Sequence, residues 1–169
     1  MLSEREAAFV ALHKGSYLHI YRYILRRIND TEMAQELAAD VFRVAWQKWE
    51  TTKGPDVPWL YSVARNLVGN AYRSRERHQA LQLRLQSAAF RAAESPSGIA
   101  SVDAALDALR PQDREILQLA YWDGLGTADI AKVLGCSPAA ARVRLHRARE
   151  AFRKAHTRGN EFVEQKTGA

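Results

Sequence analysis

The sequence predicts an all-α protein: two small helical domains joined by a linker, the C-terminal one a helix-turn-helix. Three observations predict it. Apolar residues recur at spacings of three and four, the period of a helix face. Alternating apolar runs and Asn-Gly or Asp-Gly hairpins are nearly absent, and "WDGLG" at Trp122 to Gly126 stands between helical patterns. Midway, Ser95-Pro96-Ser97-Gly98 interrupts the pattern with residues typical of linkers.

The elements follow in order. Phe9, Leu12, Tyr17, Ile20, Ile24 and Ile28 mark a long first helix, with an expected break near Gly15. Asn29-Asp30 ends it, and Asp30 can cap the next. The second helix spans roughly Thr31 to Trp49, with Leu37, Val41, Val44 and Ala45 inward and Phe42, Trp46 and Trp49 read as core. "TTKGPDVP", Thr51 to Pro58, reads as a loop because Gly and two Pro interrupt it. A third helix runs from about Trp59 to at least Arg77. Beyond the linker at 81–100 come helices at about Val102 to Leu109, Pro111 to Trp122, Thr127 to Leu134 and Pro138 to His156, then a loose polar tail at 157–169. The expected domains are 1–80 and 101–156.

Composition narrows the function. Hydrophobic residues make up 47% of the 169 residues, enough for packed cores. The net charge of +6 and pI near 9.7 suit an anionic partner or serve solubility alone. One cysteine, Cys136, makes no internal disulfide or zinc site, so it reads as a small apolar residue at a turn in a reducing compartment. No apolar run approaches the ~20 residues of a membrane span, and "MLSEREAAFVALHKG" is unlike a secretory signal. A cytoplasmic protein without membrane insertion is expected.

Charge position is more telling. In "LGCSPAAARVRLHRAREAFRK", Gly135 sits where a helix stop favours glycine, Ser137 can cap the next helix and Pro138 falls at its first position. With Thr127 as the expected cap of the preceding short helix, this is the helix-turn-helix pattern. Ala141, Leu145, Ala148 and Phe152 form one apolar stripe. Arg142, Arg144, Arg147, Arg149 and Arg153 stand off it with His146. From Arg142 to Arg158, seven Lys or Arg face one acid, Glu150. Crowded like charges cost a few tenths of a kcal/mol per close pair. A phosphate backbone relieves that and releases counterions. Arg also reads guanine edges in a major groove.

"TEMAQELAADVFRVAWQKWE" followed by "PWLYSVARNLVGNAYRSRERH" resembles the second conserved region of bacterial sigma factors of the extracytoplasmic-function (ECF) group. "ALDALRPQDREILQLAYWDGLGTADIAKVLGCSPAAARVRLHRAREAFRK" resembles their fourth. The two matches cover about Phe9 to Arg77 and Val102 to Lys154, with no third region between.

The resemblance implies a dissociable promoter-specificity subunit with no catalytic site, metal or cofactor. Its implied partners are core RNA polymerase, through the clamp helices of the largest subunit and the flap, and promoter DNA. Members of the group are commonly held silent by an anti-sigma factor. Glu32, Glu36 and Asp40, at i, i+4 and i+8, form an acidic row suited to a basic partner; with Arg43 they are the implied polymerase contacts. The third helix and the preceding loop are implied to capture unwound promoter DNA with one base flipped out, through Lys53, Asp56, Tyr61, Arg65, Asn66, Asn70 and Arg73. Core packing is the competing reading for Tyr61 and the favoured one for Trp59. The fourth-region helix is implied to contact duplex DNA through Ser137, Ala139, Ala140, Arg142, Val143, Arg144, His146 and Arg147.

The chain departs from the group's pattern at Met33, Gln35, Ala39, Asn70 and the Ala140-Ala141 pair. With alanines where Thr-Val is frequent, direct readout leans on the arginines and on DNA shape. The alternative is a stand-alone helix-turn-helix regulator binding duplex DNA as a dimer. An enzyme acting on nucleic acid is disfavoured, since no phosphate loop, nucleophile motif or histidine ligand pair is present.

Overall fold

The computed structural model describes residues 1–49, 54–83 and 98–167. Among them are seven helices and no strand: α1 (Glu4–Ile28), α2 (Thr31–Gln47), α3 (Val57–Leu83), α4 (Gly98–Asp107), α5 (Pro111–Tyr121), α6 (Thr127–Leu134) and α7 (Pro138–Thr167). They form two compact units, one on α1–α3, the other centred on α4, α5 and α7. The linker expected at 81–100 lies largely outside the described residues.

In the first unit α1 is held at its start by a capping box. The Ser3 Oγ accepts from the Glu6 amide, and the Glu6 carboxylate accepts from the Ser3 amide at 2.7 Å. The Ser3 amide and the Ser3 hydroxyl both donate to that carboxylate and hold the Glu6 carboxyl below its ordinary value. Their contribution is present at neutral pH and fades as pH falls through that lowered value. Ser3→Ala is expected to lower the unit's stability by about 1 kcal/mol, read from urea unfolding at pH 7.

The expected break at Gly15 does not occur. One exposed glycine costs about 1 kcal/mol, which the packing of Ile20 and Ile24 on the same helix exceeds. Asn29 ends α1 in the left-handed conformation, φ 54°, and Asp30 caps α2 by accepting from the Met33 amide at 3.0 Å.

Helices α1, α2 and α3 pack pairwise against one another. The buried stripe of α2 is Ala34, Ala38, Val41, Phe42 and Ala45, so alanines take inward positions and Leu37 and Val44 are only half-buried. Small residues let neighbouring helices approach closely. α3 starts at Val57, earlier than the sequence suggests. Asp56 Oδ1 accepts from the Trp59 amide at 3.0 Å, and Pro58 in the first turn lacks only an N–H that needs no partner there.

The tail of α3 is tied to the α1–α2 corner. The Tyr72 hydroxyl donates to the Arg27 carbonyl. Arg75 donates to the Ile28 carbonyl at 3.2 Å and pairs with Asp30 at 3.4 Å. Both residues thus brace the fold.

In the second unit α4 and α5 both pack on α7. Its core includes Leu106, Ile116, Leu119, Ile130, Ala141, Leu145 and Ala148. Arg114 closes the α4–α5 corner by donating to the Leu106 carbonyl at 3.0 Å. α6 has Gly126 as its N-cap, not Thr127, because the backbone is already helical at Thr127.

α7 runs 30 residues, to Thr167, where a loose tail after His156 was expected. No proline follows His156, and Gly159 alone is a weaker stop than a capped glycine turn.

Candidate nucleic-acid and polymerase interfaces

The helix-turn-helix corner is built from local signals. α6 stops at Gly135, φ 68°, a conformation that costs glycine nothing. The Cys136 amide returns to the Ala131 carbonyl at 3.0 Å, leaving its side chain half-buried. Ser137 Oγ accepts from the Ala140 amide at 3.1 Å and starts α7 at Pro138. Ser137 is therefore a helix cap first.

On α7 the buried stripe is Ala141, Leu145 and Ala148, with Phe152 half-buried and stacked on His156 at 5.8 Å. Opposite it, Arg142, Val143, Arg144, His146 and Arg147 are exposed, with Ala139 exposed and Ala140 half-buried ahead of them. His146 lies 3.4 Å from Glu150. Arg149 points elsewhere. Its Nε donates to the Tyr121 hydroxyl at 2.6 Å and its guanidinium lies 5.6 Å from that ring, which fixes it against α5. Beside it Leu106, Leu117, Tyr121, Trp122, Phe152 and Arg153 line an apolar groove of about 420 Å³. Tyr121 and Trp122 keep 58% and 43% of their surface exposed. The sequence reading passed over this groove; two adjacent large aromatics at the end of a short helix were its only local sign.

On α2 Glu32 and Glu36 are exposed and Asp40 is half-buried. Arg43 pairs with Asp40 at 3.2 Å, which blunts the row at that end. An exposed pair of this kind contributes about 0–1 kcal/mol.

The residues expected to meet single strands separate on α3. Tyr61 is 1% exposed and stands edge-on to Tyr23 at 5.3 Å, so it belongs to the core and no base can reach it. Asp56 is exposed but engaged in capping α3. Arg65 is half-buried, as is Trp59. Asn66, Asn70 and Arg73 are exposed, and Arg73 donates to the Asn70 side chain. With Arg77 they recur at 4, 3 and 4, one polar stripe on the outer face. Lys53 lies outside the described residues.

The fold and these surfaces define a two-unit helical protein with a basic helix-turn-helix, the build of a DNA-binding transcription protein. The family sigma-70 region 2 matches residues 14–78 and sigma-70 region 4 matches 99–152. The ECF RNA polymerase sigma factor SigL of Mycobacterium tuberculosis is 31% identical over 157 residues, covering 88% of this chain and 89% of its own. The chain belongs to the sigma-70 family, in its extracytoplasmic-function group. The sigma factor RpoE of Bartonella quintana, solved with the anti-sigma factor NepR, superposes with a TM-score of 0.63 at 22% identity, covering 88% of this chain and 96% of that one. CnrH, solved with the cytosolic domain of CnrY, gives 0.60 at 24%, covering 88% and 86%. At those identities the likeness is one of fold. Among the described residues no helix is long and apolar enough to cross a membrane.

Proposed function

We propose that this sigma factor divides promoter recognition between its two units as it directs RNA polymerase to promoters. Residues 1–80 dock on the polymerase through the acidic row of α2 and hold unwound DNA of the proximal element along the outer stripe of α3. Residues 101–156 read the distal element, with α7 in the major groove. The observation that carries this is the row Arg142, Arg144 and Arg147, exposed on a helix whose other side is buried, behind a corner set by Gly135 and Ser137.

The apolar groove beside Arg149 is the surface we assign to the polymerase flap. The protein acts without catalysing bond chemistry, in the cytoplasm with the polymerase. An anti-sigma factor is the class of regulator that would keep it silent. The stand-alone regulator reading is disfavoured by the sigma-70 region 2 match over 14–78. The test is run-off transcription with purified core polymerase on a pool of genomic promoters. Discrete transcripts that depend on this protein are the expected result, and a footprint on duplex DNA without polymerase would favour the regulator.

Asn66→Ala with Asn70→Ala is expected to weaken single-strand capture by about 1–3 kcal/mol through the hydrogen bonds lost, leaving binding of the duplex distal element unchanged. Anisotropy of the holoenzyme with a labelled proximal-element oligonucleotide measures it.

A further inference from the structure

The outer face of α7 is apolar along its middle. The helix buries Ala141, Leu145 and Ala148. At about 100° of turn per residue, Val143 stands within about 20° of the direction opposite that stripe, and Ala139 lies one turn before it on the same line. Val143 keeps 49% of its surface exposed, and Ala139 is exposed too. Arg142 and Arg147, both exposed, stand to the two sides of that line. Two turns beyond Val143 the line reaches Glu150, exposed and 3.4 Å from His146. An acid there repels phosphate, so the stretch that suits DNA runs from Ala139 to Arg147.

We propose that Val143 determines specificity at the distal element by packing on the 5-methyl group of a thymine, with the short side chain of Ala139 letting the groove floor come close to the helix. The long arms of Arg142 and Arg147 can swing from the flanks to phosphate or to a base edge. Val143 has no such reach and meets only what lies straight ahead. On the major-groove edges of the base pairs, the thymine methyl is the apolar group, and the groups beside it are hydrogen-bond donors and acceptors. A valine would strip those of water without offering a bond in return. The centre of the face therefore penalises the other bases as well as favouring thymine. This inference rests on the reading of α7 as the distal-element helix and adds what its uncharged residues recognise.

The test uses holoenzyme and the distal-element duplexes recovered from the run-off pool, with deoxyuridine put in place of each thymine in turn. Deoxyuridine lacks only the methyl group and keeps every hydrogen bond of the pair. Affinity is read by anisotropy for wild type, Val143→Ala and Val143→Thr, whose thermal unfolding is expected to coincide because the site is exposed. Deoxyuridine at one position is expected to weaken wild-type binding about fourfold, the worth of one buried methyl group. Val143→Ala is expected to lose the same factor on the thymine duplex and to be insensitive to the replacement, with affinity for a scrambled duplex unchanged. Val143→Thr keeps one methyl and is expected to retain part of the preference. The proposal is overturned if no thymine responds, or if Val143→Ala weakens cognate and scrambled duplexes alike. It is also overturned if Val143→Ala responds to deoxyuridine as strongly as wild type, which would assign the methyl effect to DNA shape. A wild-type holoenzyme that binds cognate and scrambled distal duplexes equally would overturn the role of α7 and this proposal together.

Discussion

Arg142→Ala combined with Arg147→Ala is expected to abolish selective binding of the distal promoter element while leaving association with core polymerase intact. Both side chains are exposed on α7, opposite the buried Ala141, Leu145 and Ala148, so their loss leaves stability within about 0.5 kcal/mol. A bidentate contact from Arg to a guanine edge is worth about 1–3 kcal/mol. Two such losses weaken distal-element binding by roughly 30-fold to 10⁴-fold. If either arginine meets phosphate instead, affinity falls for every sequence alike, and the slope of log affinity against log salt drops by about 0.9 per contact. A salt titration of holoenzyme anisotropy on cognate and scrambled duplexes separates the two outcomes. Unchanged distal binding, or a parallel loss of core association, would remove α7 from the role assigned to it.

Glu36→Lys with Asp40→Lys is expected to act in the opposite sense, costing polymerase association and sparing DNA. Glu36 is exposed, and Asp40 is shared with Arg43 at 3.2 Å. Removing that exposed pair costs the fold about 0–1 kcal/mol. Reversal turns an acidic row into a repulsive one against a basic partner, a change of about 2–4 kcal/mol or roughly 30- to 1000-fold in Kd. Because the variant becomes more basic overall, its non-specific DNA affinity should hold or rise. Native co-migration with core polymerase gives the readout. Undiminished binding would take the acidic row out of the interface.

The two units differ in how legibly they were written. In the second, Gly135, Ser137 and Pro138 each did at the corner what their chemistry suggests, because a left-handed glycine and a side-chain cap act within four residues. The stripe of Ala141, Leu145 and Ala148 was legible for a like reason: a helix with apolar residues at 4 and 3 buries that side whatever covers it. In the first unit, Tyr61 and Asn66 were grouped because the family resemblance implies strand capture for both. The structure separates them, Tyr61 against Tyr23 and Asn66 outside. Their positions on the helical wheel held part of that answer, since Asn66, Asn70, Arg73 and Arg77 share a face that Tyr61 does not.

Other assignments depended on partners far along the chain. Arg75 and Tyr72 look like DNA-binding residues in a basic helix, yet they secure the α1–α2 corner. Arg149 looks like its neighbours Arg142 and Arg147, yet a tyrosine on another helix holds it. The contact between Arg5 and Trp46 spans 41 positions.

By itself, the sequence determined the helices, the corner before the recognition helix, the basic face and the acidic row, since periodicity, capping and charge spacing act over one or two turns. The tertiary structure alone decided which arginines and aromatics remain available to a partner. A side chain of either kind stacks, donates and packs equally well against the protein or against DNA, and only the helices that fold against it determine which it meets.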